Sequence, residues 1–209
     1  MISAVNLTYR YPGGHMLHFP EIQASLEQSL LITGKSGCGK TTLLHILAGL
    51  LTPASGEVMI DHTPLSKLSK KKLNTFRGTN IGIVFQTHHL IACLTVFDNI
   101  LMPFFCSNNT IDKKAAQHLA AELQIDHLLH RKPARLSTGE QQRVCIARAL
   151  VHKPKVLLAD EPTSSLDDDH AAIVLNLLQQ HAAMAGATLL IVTHDERVKM
   201  NIPNSVSLT

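Results

Sequence analysis

Hydrophobic residues along this chain form short runs that are typical of buried strands, separated by longer stretches with helical periodicity. The strand-like runs cover residues 30–32, 57–61, 81–85, 155–160 and 188–192. Helical patterns follow the first and fourth of these runs, over residues 43–48 and 168–184. Because strands alternate with helices, the pattern predicts an α/β fold with a mainly parallel sheet that carries helices on both faces. Residues 2–10 and 16–33 supply further short strands ahead of this sheet.

The stretch from residue 87 to residue 152 breaks the alternation, because strand signals vanish and helical ones replace them. One helical face there gathers the apolar residues Ala115, Ala116, Leu119, Ala120 and Leu123. We therefore predict a helical subdomain over residues 87–152, inserted into a core made of residues 1–86 and 153–209. The whole chain is expected to form a single domain, since 209 residues suffice to bury one substantial core.

Composition and charge exclude several classes of protein. Hydrophobic residues make up 45% of the chain and charged residues 17%, which is typical of a globular protein. The net charge of +3 is too small to indicate nucleic acid as a partner, so none is expected. No apolar run reaches the roughly 18 to 20 residues that span a bilayer, and the N-terminus lacks a signal-peptide pattern. We expect a cytoplasmic protein with reduced cysteines and no appended regulatory domain.

A glycine-rich loop lies between the run 30–32 and the helical pattern 43–48. It reads Gly34-Lys35-Ser36-Gly37-Cys38-Gly39-Lys40-Thr41-Thr42, which has the spacing G-x-x-x-x-G-K-[ST]. Glycines let backbone N–H groups turn towards a polyphosphate, and the following helix presents its positive end to the same anion. Lys40 would reach the β- and γ-phosphates, and the Thr41 hydroxyl would be a ligand of Mg²⁺. The sequence therefore predicts a nucleotide site.

Two consecutive carboxylates stand at the end of the run 155–160. Asp160 closes the run and Glu161 follows it directly. An acidic residue at the tip of a buried strand, beside a phosphate site, is the expected second anchor of Mg²⁺. The next carboxylate is placed to orient and deprotonate the attacking water. The alternative, a helix-entry turn with solvated acids, is disfavoured by the apolar strand that precedes the pair.

The segment Leu136–Arg143 has a complete local explanation. Ser137, with Glu140 three residues later, forms a capping box that would open a helix through Leu150. The segment also resembles the signature motif of ATP-binding cassette (ABC) ATPases. The other motifs of that family occur in the family's order, and the resemblance covers nearly the whole chain.

The resemblance implies a catalytic role for several residues. Residues 34–42 match the Walker A loop, and Asp160 and Glu161 match the Walker B aspartate and the catalytic glutamate. Gln86 matches the Q-loop glutamine, and His194 matches the switch histidine. The implied catalytic residues are Lys40, Gln86, Glu161 and His194. The implied ligands of Mg²⁺ are Thr41, Gln86 and Asp160.

The resemblance also implies where ATP binds and what fold binds it. Tyr11 matches the aromatic residue that stacks on adenine, and Ser165-Leu166-Asp167 resembles the D-loop. The implied ATP contacts are Tyr11, Gly34, Ser36, Gly37, Cys38, Gly39, Lys40, Thr41, Thr42, Ser137, Gly139 and Asp167. The implied fold is a P-loop NTPase core with a mainly parallel sheet, an N-terminal antiparallel β part and an inserted helical subdomain.

The chain departs from the family pattern in two places. Thr138 stands where the family usually has glycine, and a β-branched residue narrows the options of the backbone. Because Ser137 and Gly139 are kept, we expect the signature to function. Glu27-Gln28-Ser29 replaces the usual Gly-Glu pair before the Walker A strand, and we attach no functional meaning to that change.

By resemblance, the working unit is a head-to-tail dimer, either a homodimer or a pair of different cassettes. Each ATP would lie between the Walker motifs of one copy and Ser137 and Gly139 of the other copy. One chain therefore cannot complete a site alone. ATP binding would close the dimer and hydrolysis would open it.

Residues 77–103 resemble a particular group of ABC ATPases, which includes lipoprotein-releasing, macrolide-export and cell-division members. This implies an integral membrane permease, contacted by residues 87–105, and a peripheral location on the cytoplasmic face of the inner membrane. Within that stretch, Leu94, Val96 and Ile100 are better explained as core residues. The leading hypothesis is an ATPase that energises such a permease in transport. The alternative is an ABC ATPase that drives a cell-envelope or mechanotransmission process without moving a solute.

A third class, soluble ABC proteins that act on DNA or ribosomes, is disfavoured. Such proteins need a long coiled coil between the Walker motifs or a second cassette, and this chain has neither sustained heptads nor a repeat.

Cys38 has two interpretations that the sequence supports equally. The N–H groups of the phosphate loop and the charge of Lys40 favour a reactive thiolate. Alternatively, Cys38 is a small space-filling residue whose sulfur points away from solvent.

Overall fold

Two β-sheets organise the computed structural model, which describes residues 1–26, 28–107, 109–164 and 166–208. The first sheet is antiparallel and comes from the N-terminal part of the chain. Its strands are β1 (Ile2–Arg10), β2 (Met16–His18), β3 (Ile22–Ala24), β5 (Ser55–Ile60) and β6 (Thr63–Pro64). β1 pairs with β2, β3 and β5, so this long strand holds the sheet together.

The second sheet is parallel throughout and has the strand order β10–β4–β9–β8–β7. Its strands are β4 (Ser29–Gly34), β7 (Ile81–Val84), β8 (Val156–Asp160), β9 (Thr188–Val192) and β10 (Ser205–Leu208). Every residue of β8 and β9 is buried, which explains their uninterrupted apolar runs. Parallel strands end at the same edge of a sheet, so the chain segments that follow β4, β8 and β9 meet there.

Helices cover both faces of the parallel sheet. They are α1 (Lys40–Leu47), α2 (Lys70–Asn80), α3 (Val96–Cys106), α4 (Lys113–Glu122), α5 (Thr138–Leu150), α6 (Asp168–Met184) and α7 (Glu196–Lys199). Short 3₁₀ turns lie at Leu65–Lys67, Asp126–Leu128 and Pro133–Arg135. Helices α2 to α7 each begin at a Ser, Thr or Asp whose side chain accepts a backbone hydrogen bond. Helix α1 differs, because it follows Gly39, which has no side chain to offer as a cap.

Two apolar cores lie on opposite faces of the parallel sheet. Along β8, Leu157 and Ala159 belong to the core shared with α3 to α6, whereas Val156 and Leu158 belong to the core shared with α1 and the antiparallel sheet. Residues alternate between faces in a strand, so a fully apolar strand is required where both faces are covered. Among the described residues, no helix is both long enough and apolar enough to cross a membrane.

The predicted fold class is confirmed, and most predicted elements lie where expected. Helix 168–184 and strand 188–192 have the predicted bounds. The strand predicted over 57–61 begins earlier and ends at Ile60, because Asp61 takes a φ of 47° and enters a turn. Strand β10 was not predicted, since its Ser-Val-Ser-Leu sequence is short and half polar. The residue Glu27, part of the departure before the Walker A strand, lies outside the described residues.

The described elements between residues 87 and 152 are helical, as predicted. The boundaries of this region as a subdomain remain a prediction. The described elements between residues 87 and 152 are α3, α4, α5 and two 3₁₀ turns. Val96 and Ile100 are fully buried and Leu94 is half-buried, as expected for core residues of this region. On the predicted face of α4, Ala116, Leu119 and Ala120 are buried.

His152, which follows α5, is a buried histidine whose environment favours the neutral form. Its Nε2 lies 3.2 Å from the carbonyl oxygen of Ile81, so that nitrogen carries the proton, and its Nδ1 has no partner among the described residues. Burial lowers the pKa of His152 to about 4, although the hydrogen bond to Ile81 opposes this shift. Protonating the folded protein at this residue is therefore unfavourable.

We expect the stability of the protein to fall as the pH drops from about 6.5 to 4. In that range the unfolded chain binds a proton at residue 152 and the folded chain does not, so the free energy of unfolding decreases towards acid. The His152 contribution amounts to about 3 kcal/mol at most. In His152→Gln, which can still donate to Ile81, denaturant unfolding at pH 7 and pH 4.5 should show a smaller difference than wild type. The exposed control His127→Gln should retain the wild-type difference, and an unchanged difference in His152→Gln would contradict the assignment.

Candidate functional site

The phosphate loop lies between the end of β4 and the start of α1, as the sequence predicts. Gly34 has a φ of 152°, and a Cβ atom added there would lie 2.7 Å from Cys38 Sγ and 2.8 Å from the carbonyl oxygen of Leu208. A residue with a side chain would therefore clash with the backbone of β10. Lys40 Nζ donates to the carbonyl oxygens of Gly34 and Lys35, each at 2.9 Å. The loop thus combines a fixed cation with the N-terminal end of α1, which suits a bound polyphosphate.

A cavity of about 610 Å³ opens over this loop at the carboxyl edge of the parallel sheet. Its lining residues are Gly34, Lys35, Ser36, Gly37, Gly39, Lys40, Thr41, Thr42, Gln86, Asp160, Glu161 and His194. Residues from four separate parts of the sequence therefore meet in one space. These include all four predicted catalytic residues and all three predicted ligands of Mg²⁺.

Thr41 and Asp160 lie in contact at the floor of the cavity. Thr41 Oγ1 donates to Asp160 Oδ2 at 2.7 Å, and Asp160 is 2% exposed. Burial raises the pKa of Asp160 above its ordinary value, although the hydrogen bond from Thr41 acts in the opposite direction. Burial disfavours the charged form of this carboxyl group, and a nearby cation would stabilise that form. Hydroxyl, carboxylate and amide oxygens are also the ligand types that Mg²⁺ prefers.

The donor set fits a Mg²⁺ ion that is shared with phosphate. Among the residues that the structure describes, no group of three or more His, Cys, Asp and Glu side chains is arranged to hold a metal ion. Mg²⁺ usually binds to one or two protein side chains and keeps phosphate oxygens and waters as its other ligands. The pair formed by Thr41 and Asp160, with Gln86 on the same cavity wall, agrees with this mode of binding.

Glu161 is held in an unusual conformation by the segment that follows β9. It is 6% exposed and has a φ of 49°, in the left-handed region. Thr193 Oγ1 donates to Glu161 Oε2 at 2.6 Å, and the Nδ1 atom of His194 lies 2.6 Å from Glu161 Oε1. The N–H group of His194 donates to the same Oε1 at 3.3 Å. The carboxylate is therefore fixed at the cavity wall by three hydrogen bonds.

His194 combines a fixed ring nitrogen with an exposed ring. Its side chain is 76% exposed, so the part of the imidazole that does not contact Glu161 faces open space beside the cavity. The sequence placed His194 near the phosphate site but did not indicate its contact with Glu161. Nor did it indicate the hydrogen bond from Thr193, since a threonine before a histidine has no local pattern that points to a carboxylate.

The signature segment has the predicted local structure and lies away from the cavity of its own chain. Glu140 N donates to Ser137 Oγ at 3.3 Å and Ser137 N donates to Glu140 Oε2 at 2.7 Å, so the capping box is confirmed. The bond from the Ser137 N–H also lowers the pKa of Glu140. Thr138 is the first residue of α5 and is exposed. Ser137 and Gly139 do not line the cavity described above.

Tyr11 and Asp167, two further predicted ATP contacts, also lie outside the cavity lining. Tyr11 Oη lies 2.9 Å from Thr42 Oγ1, so the exposed tyrosine stands beside the start of α1. Asp167 caps α6 by accepting a hydrogen bond from His170 N, at 2.9 Å. Ser165, from the predicted D-loop, lies outside the described residues.

Cys38 is turned away from the cavity that the rest of its loop lines. Its side chain packs against the core that α1 shares with the antiparallel sheet, and its sulfur lies over Gly34. This geometry favours the interpretation of Cys38 as a space-filling residue over that of a thiolate facing the phosphates.

Known proteins share the sequence pattern and the fold of this chain. The family described as "ABC transporter" matches residues 20–164. The chain is similar to two proteins named "Lipoprotein-releasing system ATP-binding protein LolD". The one from Buchnera aphidicola subsp. Acyrthosiphon pisum is 34% identical over 97% of this chain and 92% of that protein. The one from Syntrophotalea carbinolica is 37% identical over 100% of this chain and 94% of that protein.

A solved structure has the same fold over the whole chain. It is the ATP-binding cassette MJ0796, determined as a dimer in a post-hydrolysis state bound to ADP and Pi. The TM-score is 0.92 at 32% identity, and the superposition covers 100% of this chain and 94% of that one.

We expect maleimide to react with Cys38 much more slowly than with the exposed Cys93 and Cys106. The packing of its sulfur against Gly34 and the core limits access, whatever the charge of the loop. Mass spectrometry of peptides after timed labelling would give the order of reaction. Cys38→Ser should hydrolyse ATP at a rate within about twofold of wild type, because a small side chain is kept. If Cys38 reacts first, and saturating ATP protects it, the thiolate interpretation is the correct one.

Proposed function

This chain belongs to the ABC transporter family of ATP-binding proteins, and we propose that it energises a separate membrane permease by closing a cassette dimer on ATP. It is an ABC ATPase, and the proposal requires its cassette to work as a dimer, as the related cassette MJ0796 does in its solved structure. The observation that carries the proposal is the separation of the site into two halves. One cavity gathers the phosphate loop, Gln86, Asp160, Glu161 and His194, whereas Ser137 and Gly139 lie elsewhere on the same chain.

We infer that the cavity holds the phosphates of ATP together with Mg²⁺. Lys40 would neutralise the β- and γ-phosphates from its place over the loop. Thr41, Asp160 and Gln86 would hold Mg²⁺, which would supply positive charge to offset the negative charge that develops on the phosphates. Tyr11, next to Thr42, would stack on the adenine. The raised pKa of Asp160 supports this assignment, because a divalent cation supplies the charge that its buried carboxylate lacks.

For hydrolysis, we propose that Glu161 orients the attacking water and accepts its proton. The carboxylate lies at the wall of the phosphate cavity, and its hydrogen bonds with Thr193 and His194 fix the direction of its oxygens. His194 would in addition contact the γ-phosphate through its exposed ring. Neither step requires the chain to rearrange its sheet, since every group follows a strand end that is already in place.

The second half of each site would come from the other copy of the cassette. Ser137 and Thr138 are exposed at the N-terminal end of α5, and Gly139 is half-buried. A helix N-terminus with its capping serine suits a phosphate group. In a head-to-tail dimer, Ser137 and Gly139 of each copy would close over the nucleotide of the other. ATP would then hold the two copies together, and its hydrolysis would allow them to separate.

Glu161→Gln should bind ATP as wild type does and lose about 10²- to 10⁴-fold in turnover, because it keeps the shape of the base and removes its basicity. Nucleotide binding and steady-state hydrolysis would be measured on the same preparation. Sedimentation with ATP should show that this variant accumulates as a dimer. Lys40→Ala serves as the contrast: it should weaken nucleotide binding by about 10- to 100-fold, since a charge-assisted contact is lost. A monomeric Glu161→Gln in saturating ATP would contradict the dimer proposal.

A second groove is the proposed contact surface for the permease. It has a volume of about 480 Å³ and lies between α2, α3, α5 and the edge strand β7. Its apolar lining includes Phe85, which follows β7, and Met102 and Pro103 of α3. Phe105, close by on α3, is 66% exposed. This groove overlaps the predicted contact segment, residues 87–105, at Met102 and Pro103. Its lining residue Phe85 directly precedes Gln86, so movement in the groove would reach Gln86.

The relatives support a partner of a particular kind. Both are ATP-binding proteins of lipoprotein-releasing systems, and the similarity extends over nearly their whole length. We propose that this chain serves a membrane system of the same type, from a peripheral position on the cytoplasmic face of the membrane. Its permease would have a few membrane spans and a large extracytoplasmic domain.

An affinity-tagged chain, purified from detergent-solubilised membranes of its own organism, should retain such a permease, identified by mass spectrometry. Met102→Glu and Phe105→Glu should each lose it, because a charge is placed in an apolar contact. Both variants should still bind ATP. Met184→Glu is the matched control, since Met184 is 82% exposed on α6, away from the groove. Retention of the permease by both groove variants would contradict the contact surface.

The effect of a cargo molecule on the rate of ATP hydrolysis distinguishes a transport ATPase from an ATPase that moves no solute. Reconstituted with its permease, a transport ATPase should hydrolyse ATP faster when the cargo is added. An ATPase that drives a cell-envelope process without moving a solute should show no such stimulation by any solute.

A further inference from the structure

The guanidinium group of Arg197, in α7, joins two loops of the candidate site. Its Nε lies 3.0 Å from both carboxylate oxygens of Asp195, and one Nη lies 2.7 Å from Asp195 Oδ2. The same side chain donates to the backbone carbonyl oxygens of Thr163 at 3.3 Å and Leu166 at 3.4 Å. It also contacts Asp168 Oδ1 at 2.7 Å. One side chain therefore ties the segment that carries His194 to the loop that follows Glu161.

The contact with Asp195 is the strong part of this arrangement. Asp195 is 12% exposed, whereas Asp168 is 91% exposed, so solvent weakens the second ion pair far more than the first. Arg197 holds the pKa of Asp195 at about 2 and its own pKa is raised in return. A carboxylate with a lowered pKa stabilises the fold above its ordinary titration range and loses this effect only as the pH falls towards 2. The pair is therefore charged at neutral pH.

Asp195 extends the link into the loop through Thr163. Thr163 Oγ1 donates to Asp195 Oδ2 at 2.6 Å, and Thr163 is 1% exposed. Two residues before it, Glu161 is bonded to Thr193 and His194. The two segments are therefore joined at three places: at Glu161, between Thr163 and Asp195, and through Arg197.

The loop held by Arg197 is also in contact with the signature helix α5. A Cβ atom added at Gly139 would lie 3.4 Å from Leu166 Cδ2, so Leu166 packs against the signature glycine. Gln142 Nε2 donates to the carbonyl oxygen of Pro162 at 3.0 Å, within the protein interior. Contacts thus run from Asp195, the neighbour of His194 in the chain, through Arg197 and Leu166 to Gly139. His194 lines the cavity of its own chain, and Gly139 would serve the site of the other copy.

We propose that Arg197 is a positioning residue that couples the two ATP sites of the dimer. It fixes the loop after Glu161 against the segment that carries His194, and through Leu166 it fixes that loop against the signature. With Arg197 in place, a cassette presents its catalytic carboxylate and its signature in one relative position. Arg197 itself touches neither the cavity nor the proposed position of the phosphates. This inference rests on the proposed dimeric function and assigns a residue that none of the recognised motifs contains.

A merely structural role and a positioning role have different consequences. If Arg197 only stabilised the fold, its loss would lower the unfolding temperature without a specific effect on turnover or on dimer closure. If it positions the two half-sites, a single chain should still bind nucleotide, because Lys40, Thr41 and Asp160 are untouched. Turnover and ATP-driven dimerisation should then fall together.

The test compares Arg197→Met with Lys199→Met in the full-length chain. Both residues lie on α7 and have similar side-chain exposure, 38% and 34%, but Lys199 contacts Glu196 of its own helix. We expect Arg197→Met to bind a fluorescent ATP analogue within about threefold of wild type and to lose about tenfold or more in kcat, as for a lost charged hydrogen bond. In the Glu161→Gln background, it should need about tenfold more ATP to dimerise, for the same reason. Lys199→Met should match wild type in all three measurements.

A second variant keeps the proposal testable if Arg197→Met unfolds. Arg197→Lys keeps a positive charge near Asp195. A lysine lacks the planar guanidinium group, so it cannot donate to Asp195 and to the carbonyl oxygens of Thr163 and Leu166 at the same time. It should fold, as thermal unfolding would show, and should still be impaired in kcat and dimerisation. Normal kcat and dimerisation in either folded variant would overturn the proposal, as would equal effects of Lys199→Met.

The outcome also separates this inference from the function on which it rests. If wild type hydrolyses ATP and Glu161→Gln dimerises, but Arg197→Met behaves as wild type, only the role of Arg197 is wrong. If wild type neither hydrolyses ATP nor dimerises with it, the proposed function and the role of Arg197 are both wrong.

Discussion

The site depends on the register of three neighbouring parallel strands, β4, β9 and β8. Asp160, the last residue of β8, pairs with Val192 of β9, and Val192 pairs with Ile32 of β4. The phosphate loop, Glu161 and His194 therefore begin from the same edge of one sheet. A shift of one residue in any of these strands would exchange its two faces and bury the wrong side chains in each core. Because an apolar core packs against each face of the sheet, a change of register would disrupt both cores. This packing therefore fixes the positions of the site residues relative to one another.

Sequence motifs indicated the parts of the site whose chemistry is local. The spacing of the phosphate loop, the acidic pair after an apolar strand and the capping box at Ser137 are all short-range patterns, and each was found where expected. Helix 168–184 was predicted from its local pattern, and the structure shows that Asp167 caps its first turn. Strand β10 escaped prediction because it owes its conformation to pairing with β4, a partner about 170 residues away in the sequence.

Other parts of the site have no local pattern and could come only from the structure. The hydrogen bond from Thr193 to Glu161 joins residues 32 positions apart, and Arg197 reaches carbonyl oxygens that any residue would supply. Cys38 stands within a motif, but the direction of its side chain is decided by Gly34 and the core beneath. The proposed roles of Ser137 and Gly139 require a second copy of the chain, so a single chain shows only their exposure and their place in α5.

The left-handed backbone of Glu161 has a consequence for the stability of the loop that follows β8. A glutamate with a φ of 49° costs about 1 to 2 kcal/mol relative to an ordinary conformation, which glycine or asparagine would largely avoid. The hydrogen bonds that the Glu161 carboxylate accepts from Thr193 and His194 offset this cost, because each joins a nearly buried side chain to the segment after β9. A glycine at position 161 would relieve the backbone, but the fully buried Thr193 hydroxyl would lose the acceptor of its hydrogen bond. Backbone strain and side-chain bonding therefore compensate each other at this position, and the conformation of the loop depends on the side chain that it carries.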